Sequence, residues 1–130
     1  MGRIRQLIEV KDHPCWTMFD SGPRNSYITN VAAEGLVTEP VQMPRQFSLG
    51  GKQHQITKVC IVHASVEGNP VEFQANVVDE IGNDEDGREI DLLFGALAMQ
   101  NWGIKLDVPH EKLDLTHFAH DFVEFTEITY

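Results

Sequence analysis

The apolar run Cys15-Trp16-Thr17-Met18-Phe19 ends abruptly in Asp20-Ser21-Gly22. A strand that stops in Asp-Ser-Gly leaves a carboxylate at a tight turn, and Gly22 supplies the backbone freedom such a turn needs. An acid beside apolar residues is costly unless it is hydrogen-bonded or shares a proton. Asp20 is therefore either a structural acid that caps nearby N–H groups or a tuned acid–base group.

Other polar groups offer less. His117 and His120, with Asp121, have a spacing that could put two imidazoles on one helical face. Phe118, Phe122 and Phe125 around them point instead to a packed tail, so no metal is expected there. The stretch Asn83-Asp84-Glu85-Asp86-Gly87 hints at calcium, but Leu93 stands where the bidentate Glu of an EF-hand loop would fall. It is read as a solvated loop. His54 and His63 show no partner in the sequence and are expected at surface or edge positions. Ser21 and Ser26 lack the Gly-x-Ser-x-Gly setting of a hydrolase elbow. Cys15 and Cys60 lie in apolar runs without CxxC spacing, which suits two buried thiols in a reducing compartment and excludes a two-cysteine zinc motif. Trp16 is expected in the core or at an interface.

A chain of 130 residues, 42% hydrophobic and 23% charged, can bury one core and is read as a single domain spanning residues 1–130. Its formal net charge of −10 argues against nucleic acid as the partner, since phosphate binding needs a basic footprint. No apolar stretch approaches the roughly 20 residues that cross a bilayer, so no membrane partner is expected. The N-terminal residues lead into an alternating segment, not an apolar signal core, and a cytoplasmic location is expected.

The elements that must position these groups follow from periodicity and turn chemistry. Residues 3–11 alternate through Ile4, Leu7, Ile8 and Val10 as a strand, and residues 15–19 form a second after a turn at Asp12-His13-Pro14. Residues 29–35 read as a short helix, capped by Thr29 or Asn30 and stopped by Gly35. A short strand over 46–49 reaches a hairpin turn at Gly50-Gly51, and a long strand over 54–66 follows. Glu67-Gly68-Asn69-Pro70 turns the chain into a strand over 71–78. Residues 79–91 read as an exposed acidic loop. Leu92-Leu93-Phe94 is a brief buried strand, 96–102 a helix stopped at Gly103, and 104–108 with 112–115 a hairpin. Residues 122–130 suit a terminal strand. The sum is a mainly β domain with one or two short helices.

The order of these features resembles the retropepsin-like aspartic proteases. An apolar strand enters Asp20-Ser21-Gly22, the run Asn25-Ser26-Tyr27-Ile28 follows, and Phe94-Gly95 leads into a helix ending at Gly103. The resemblance spans residues 3–117. It implies a closed acid-protease-like β barrel with one lobe per chain, and a homodimer, because each chain carries one catalytic aspartate. Asp20 would be the catalytic acid, supported by Ser21 and Gly22, with Ser21 bonding across the dimer. Leu49, Gly50 and Gly51 would lie in the flap that closes over peptide or protein substrate. Phe94 and Gly95 would form the second loop, packed beneath the first, and residues 116–130 a terminal strand or dimer element. No cofactor is implied. The chain departs from the family at Pro23, where Ala or Ser is usual, and at Arg24, Ala96 and Leu97, where charged pairs are found. These departures keep open a non-catalytic dimerisation or peptide-binding module on the same fold, beside an aspartic endopeptidase.

Overall fold

The computed structural model describes residues 2–49 and 51–119. Strands Arg3–Val10 (β1) and His13–Asp20 (β2) form an antiparallel hairpin in which Arg3 faces Asp20 and Val10 faces His13. Its turn is carried by Lys11 and Asp12, both at positive φ. Strand Ser26–Thr29 (β3) follows the Asp-Ser-Gly loop and is buried along its whole length. Strand Thr38–Leu49 (β4) and strand Lys52–Val66 (β5) make the long hairpin. Its ladder breaks between Pro40 and Arg45, where Pro40 and Pro44 have no N–H to donate. An edge strand tolerates this.

Strand β5 buries His54, Ile56, Cys60, Val62, Ala64 and Val66, the period-2 pattern of a strand with one face on the core. Strand Asn69–Val78 (β6) returns beside it through Glu67-Gly68. Strand Leu92–Phe94 (β7) leads into helix Ala96–Trp102 (α1), which Gly103 ends in the left-handed conformation, its N–H returning to Gln100 O and Met99 O. Strands Lys105–Asp107 (β8) and Lys112–Asp114 (β9) form the last described hairpin, around a single 3₁₀ turn at Val108–His110.

Seven strands make one mainly antiparallel sheet in the order β1-β2-β7-β3-β6-β5-β4; β2–β7 and β3–β6 are parallel. The sheet curls until β5 meets β1, but only through Glu9–Ser65 and Val10–Ala64. The closed barrel implied by the resemblance is thus a curled sheet with a narrow seam. Phe19, Ile28, Leu92 and Phe94 are fully buried on the central strands.

One expected element is absent. In place of the helix over 29–35, Thr29 ends β3 and residues 30–35 form hydrogen-bonded turns. Thr29 does act as a cap, its Oγ1 accepting from Ala32 N–H at 3.2 Å. However, β3 claims Thr29 as its last residue, paired with Val78, and Gly35 at φ +83° stops the chain soon after. Too few residues remain to repay helix nucleation. The strand expected over 46–49 begins eight residues earlier, at Thr38. The terminal strand expected over 122–130 lies outside the described residues, as do most of 116–130, His120 and Asp121.

Candidate active site

Strands β2 and β7 run parallel with Thr17 opposite Leu92, Met18 opposite Leu93 and Phe19 opposite Phe94. Asp20 and Gly95, each the next residue, therefore emerge side by side at the carboxyl ends of paired strands. The register is locked by rings: Phe19 stacks on Phe94 with centroids 4.7 Å apart, and Phe73 meets Phe94 at 4.5 Å. Apolar burial on β2 and β7 thus sets where the carboxylate stands.

The loop after Asp20 rests on the start of α1. The first N–H groups of a helix have no intrahelical acceptor. Here Ala96 N–H donates to Pro23 O at 2.9 Å and Leu97 N–H to Arg24 O at 3.0 Å. Gly95 N–H donates to Ser26 Oγ at 2.9 Å. A side chain at position 95 would overlap the Asn25 carbonyl, so only glycine lets the two segments approach. Pro23 enters this contact through its carbonyl, so its missing N–H costs nothing there.

The carboxylate is partly exposed, with Oδ1 accepting Gly22 N–H at 2.9 Å. Asp20 is thus both the local cap and an acid open to solvent. Ser21 is tied within its own chain: its N–H donates to Gly2 O at 3.2 Å, and its Oγ accepts from Gly2 N–H at 3.3 Å. Asp20 opens onto a cleft of about 430 Å³ lined also by Pro23, Leu93, Ile90, Ser48 and Leu49. Leu49 pairs with Lys52 at the tip of the β4–β5 hairpin, where Gly51 takes φ +80°; Gly50 lies outside the described residues. Lys52 Nζ forms an ion pair with Glu80 that ties the hairpin tip to the acidic loop. A larger hollow of about 500 Å³, lined by Lys11, His63, Glu72 and Trp102, lies at the opposite end of the β1–β2 hairpin from Asp20.

Two polar groups, His54 and Asp84, depart from expectation, while His63 keeps its exposed position. His54, expected at the surface, is buried, with Nδ1 2.7 Å from Asp79 Oδ1. That bond holds the Asp79 carboxyl below its ordinary value. His63 is exposed but paired, its Nδ1 3.4 Å from Glu72 Oε1. Asp84, expected in a solvated loop, is buried. Its Oδ1 accepts the N–H groups of Asp86 and Arg88, each at 2.9 Å, and its Oδ2 accepts Trp16 Nε1 at 2.8 Å. Arg5 Nη1 stands 3.3 Å away, and the Arg88 guanidinium covers the Trp16 ring at 4.0 Å. Burial pushes the Asp84 carboxyl up, but these donors together hold it below its ordinary value. The acidic loop is therefore pinned to β2 beside the cleft. The local signal was Asp84-x-Asp86-Gly87-Arg88, an Asx turn closed by glycine. Cys15 and Cys60 are free, buried thiols.

No family model and no curated protein sequence matches the chain. Solved structures do, and they show a retropepsin-like fold. The retroviral protease-like domain of Ddi1 from Leishmania major aligns with a TM-score of 0.66 at 17% identity, over 91% of each chain. The EIAV protease complexed with the inhibitor HBY-793 aligns with a TM-score of 0.53 at 17% identity, over 81% of this chain and 92% of that one. The foamy viral protease-reverse transcriptase, in complex with an RNA/DNA hybrid, aligns with a TM-score of 0.53 at 13% identity. That alignment covers 77% of this chain and 12% of the viral one. No helix among the described residues is long and apolar enough to cross a membrane.

Proposed function

We propose that the protein is an aspartic endopeptidase that acts as a homodimer, with Asp20 of each chain at a shared centre. The observation that carries this reading is the placement of Asp20. Its carboxylate stands at the end of β2, braced from below by Gly95 and α1, and faces a cleft bordered by the tip of the long hairpin. A purely structural Asx turn needs neither the bracing helix nor the cleft.

Two such carboxylates across a two-fold axis cannot both ionise easily and share one proton. The charged member takes a proton from a water held between them, while the protonated member donates to the scissile carbonyl oxygen. As the C–N bond breaks, the pair gives the proton taken from water to the departing amine nitrogen and takes one back from a hydroxyl of the gem-diol. The starting state is thereby restored, and no covalent intermediate forms. The pair titrates as a unit. Substrate lies extended beneath the β4–β5 hairpin, bonded strand-like to main chain, and hairpin closure excludes water other than the nucleophile. Ser21 Oγ donates its one proton to Gly2 O at 3.4 Å and accepts from Gly2 N–H, which leaves a lone pair to accept a bond from the partner loop.

The test is cleavage of a mixed peptide library over roughly pH 4 to 7, the range in which a shared-proton pair works. Native chain should cleave it and Asp20→Asn should not. Equal cleavage by both, or by neither, refutes the peptidase. A strictly monomeric species in sedimentation at high micromolar concentration refutes the shared centre.

A further inference from the structure

We propose that Arg24 and Arg45 make the protein selective for peptides that carry an anionic side chain a few residues from the cleaved bond. The proposal rests on the peptidase reading and names the substrate class of that same site. A pocket of about 300 Å³ is lined by Arg24, Asn25, Arg45, Gln74, Asn76 and Asn101. It shares both of its walls with the Asp20 cleft. The loop contributes Asp20 and Pro23 to the cleft but Arg24 and Asn25 to the pocket; the hairpin contributes Ser48 and Leu49 to the cleft but Arg45 to the pocket. A peptide lying along the cleft beneath the hairpin therefore passes this pocket.

The charge of the pocket is opposite to that of the chain. The formal net charge is −10, yet two arginines line this pocket together with Asn25, Gln74, Asn76 and Asn101, and no carboxylate lines it. Among the described residues, Arg24 and Arg45 take part in none of the ion pairs, which fall on Arg5, Lys52, His54, His63 and His110. Arg45 Nη2 donates to Asn76 Oδ1 at 3.4 Å, a neutral partner that orients the guanidinium and leaves its charge uncompensated. Planar guanidinium forks match a carboxylate or phosphate better than they match a neutral amide.

Reach sets the position. Arg24 follows Asp20 by four residues, which span at most about 14 Å, the length of about four extended substrate residues. Arg45 precedes Leu49 by the same interval. The anionic side chain is thus expected roughly two to four residues from the scissile bond, on one side in each half of the dimer.

The experiment uses a cleavable peptide varied at one position at a time to Glu, phosphoserine, Gln or Lys. At one position the full chain should show kcat/KM about tenfold higher for Glu than for Gln, the scale of a charge-assisted pair partly screened by solvent. Phosphoserine at that position should also be cleaved faster than Gln, and a phosphoserine peptide and a Glu peptide both cleaved no faster than Gln overturn the proposal. In Arg24→Gln and Arg45→Gln the Glu to Gln ratio should fall towards one, and Arg24→Glu should shift preference to Lys. A Glu preference that survives the double variant overturns the proposal. So does a loss of equal size on every peptide, which would mean that the arginines support the fold or the dimer. Binding of the same peptides to Asp20→Asn, read by fluorescence anisotropy, separates this proposal from the peptidase reading. Glu should outbind Gln there even if no cleavage is seen, and equal binding overturns the proposal independently.

Discussion

Replacing Gly95 by alanine isolates the contact that braces the Asp20 loop. Gly95 sits at φ −87° and ψ 178°, ordinary extended backbone, so alanine brings no dihedral penalty. The whole cost is space. A Cβ would overlap the Asn25 carbonyl oxygen and lie 2.7 Å from its carbon and 2.9 Å from Arg24 O. Comfortable contacts lie near 3.5–4.0 Å, so the loop must retreat by roughly 1 Å. Retreat stretches the bonds to Pro23 O, Arg24 O and Ser26 Oγ, now 2.9–3.0 Å, beyond useful length. Each such bond is worth about 1 kcal/mol net, so the loss is about 3 kcal/mol before any residual strain. At about 4 °C per kcal/mol for a domain of this size, Gly95→Ala should lower Tm by about 12 °C or more. Gly68→Ala is the control: its φ is +83° with nothing within 4 Å, so it has dihedral cost without steric cost. That cost is about 1 kcal/mol, or about 4 °C. Both are read by circular dichroism at one protein concentration, because a dimer's Tm depends on it. A Gly95→Ala protein no less stable than Gly68→Ala would refute the bracing argument.

Asp84 should link stability to pH. Its carboxyl is held below its ordinary value, so its contribution is complete above that value and is lost as pH falls through the lower, folded one. Asp84→Asn should therefore be less stable than wild type near neutrality, by chemical denaturation followed at Trp16, and the gap should close below about pH 4. A gap independent of pH would mean the charge is not what matters. Burial pushes the Cys15 thiol up to about 11, with the Asp91 charge adding to it, and burial raises Cys60 as well. Both thiols should resist an aromatic disulfide reagent at about pH 8 in native buffer and react once unfolded; stoichiometric labelling of the native chain would contradict their burial.

Much of the site was legible in the sequence because its signals are short-range. Asp20-Ser21-Gly22 after an apolar run, Gly51 in its hairpin turn and Gly103 after a helix each act through neighbouring residues. The failures were all long-range. The helix expected over 29–35 lost Thr29 to a pairing with Val78, and no window around Thr29 contains that partner. Asp84 looked solvated because its indole donor, Trp16, lies 68 residues away. His54 looked partnerless because Asp79 reaches it from the next hairpin arm. Arg24 stood in the sequence only as a departure from the family pattern, and the pocket it lines with Arg45 depends on a residue 21 positions away.

The sequence by itself determined a mainly β chain, its turns, the carboxylate at the end of β2 and the glycine after β7. Alternation and turn chemistry are local, so they survive without a fold. Only the tertiary structure decided that Asp20 and Gly95 stand together. Their neighbourhood depends on the parallel register of β2 on β7, which the buried Phe19–Phe94 stack selects and no local preference can.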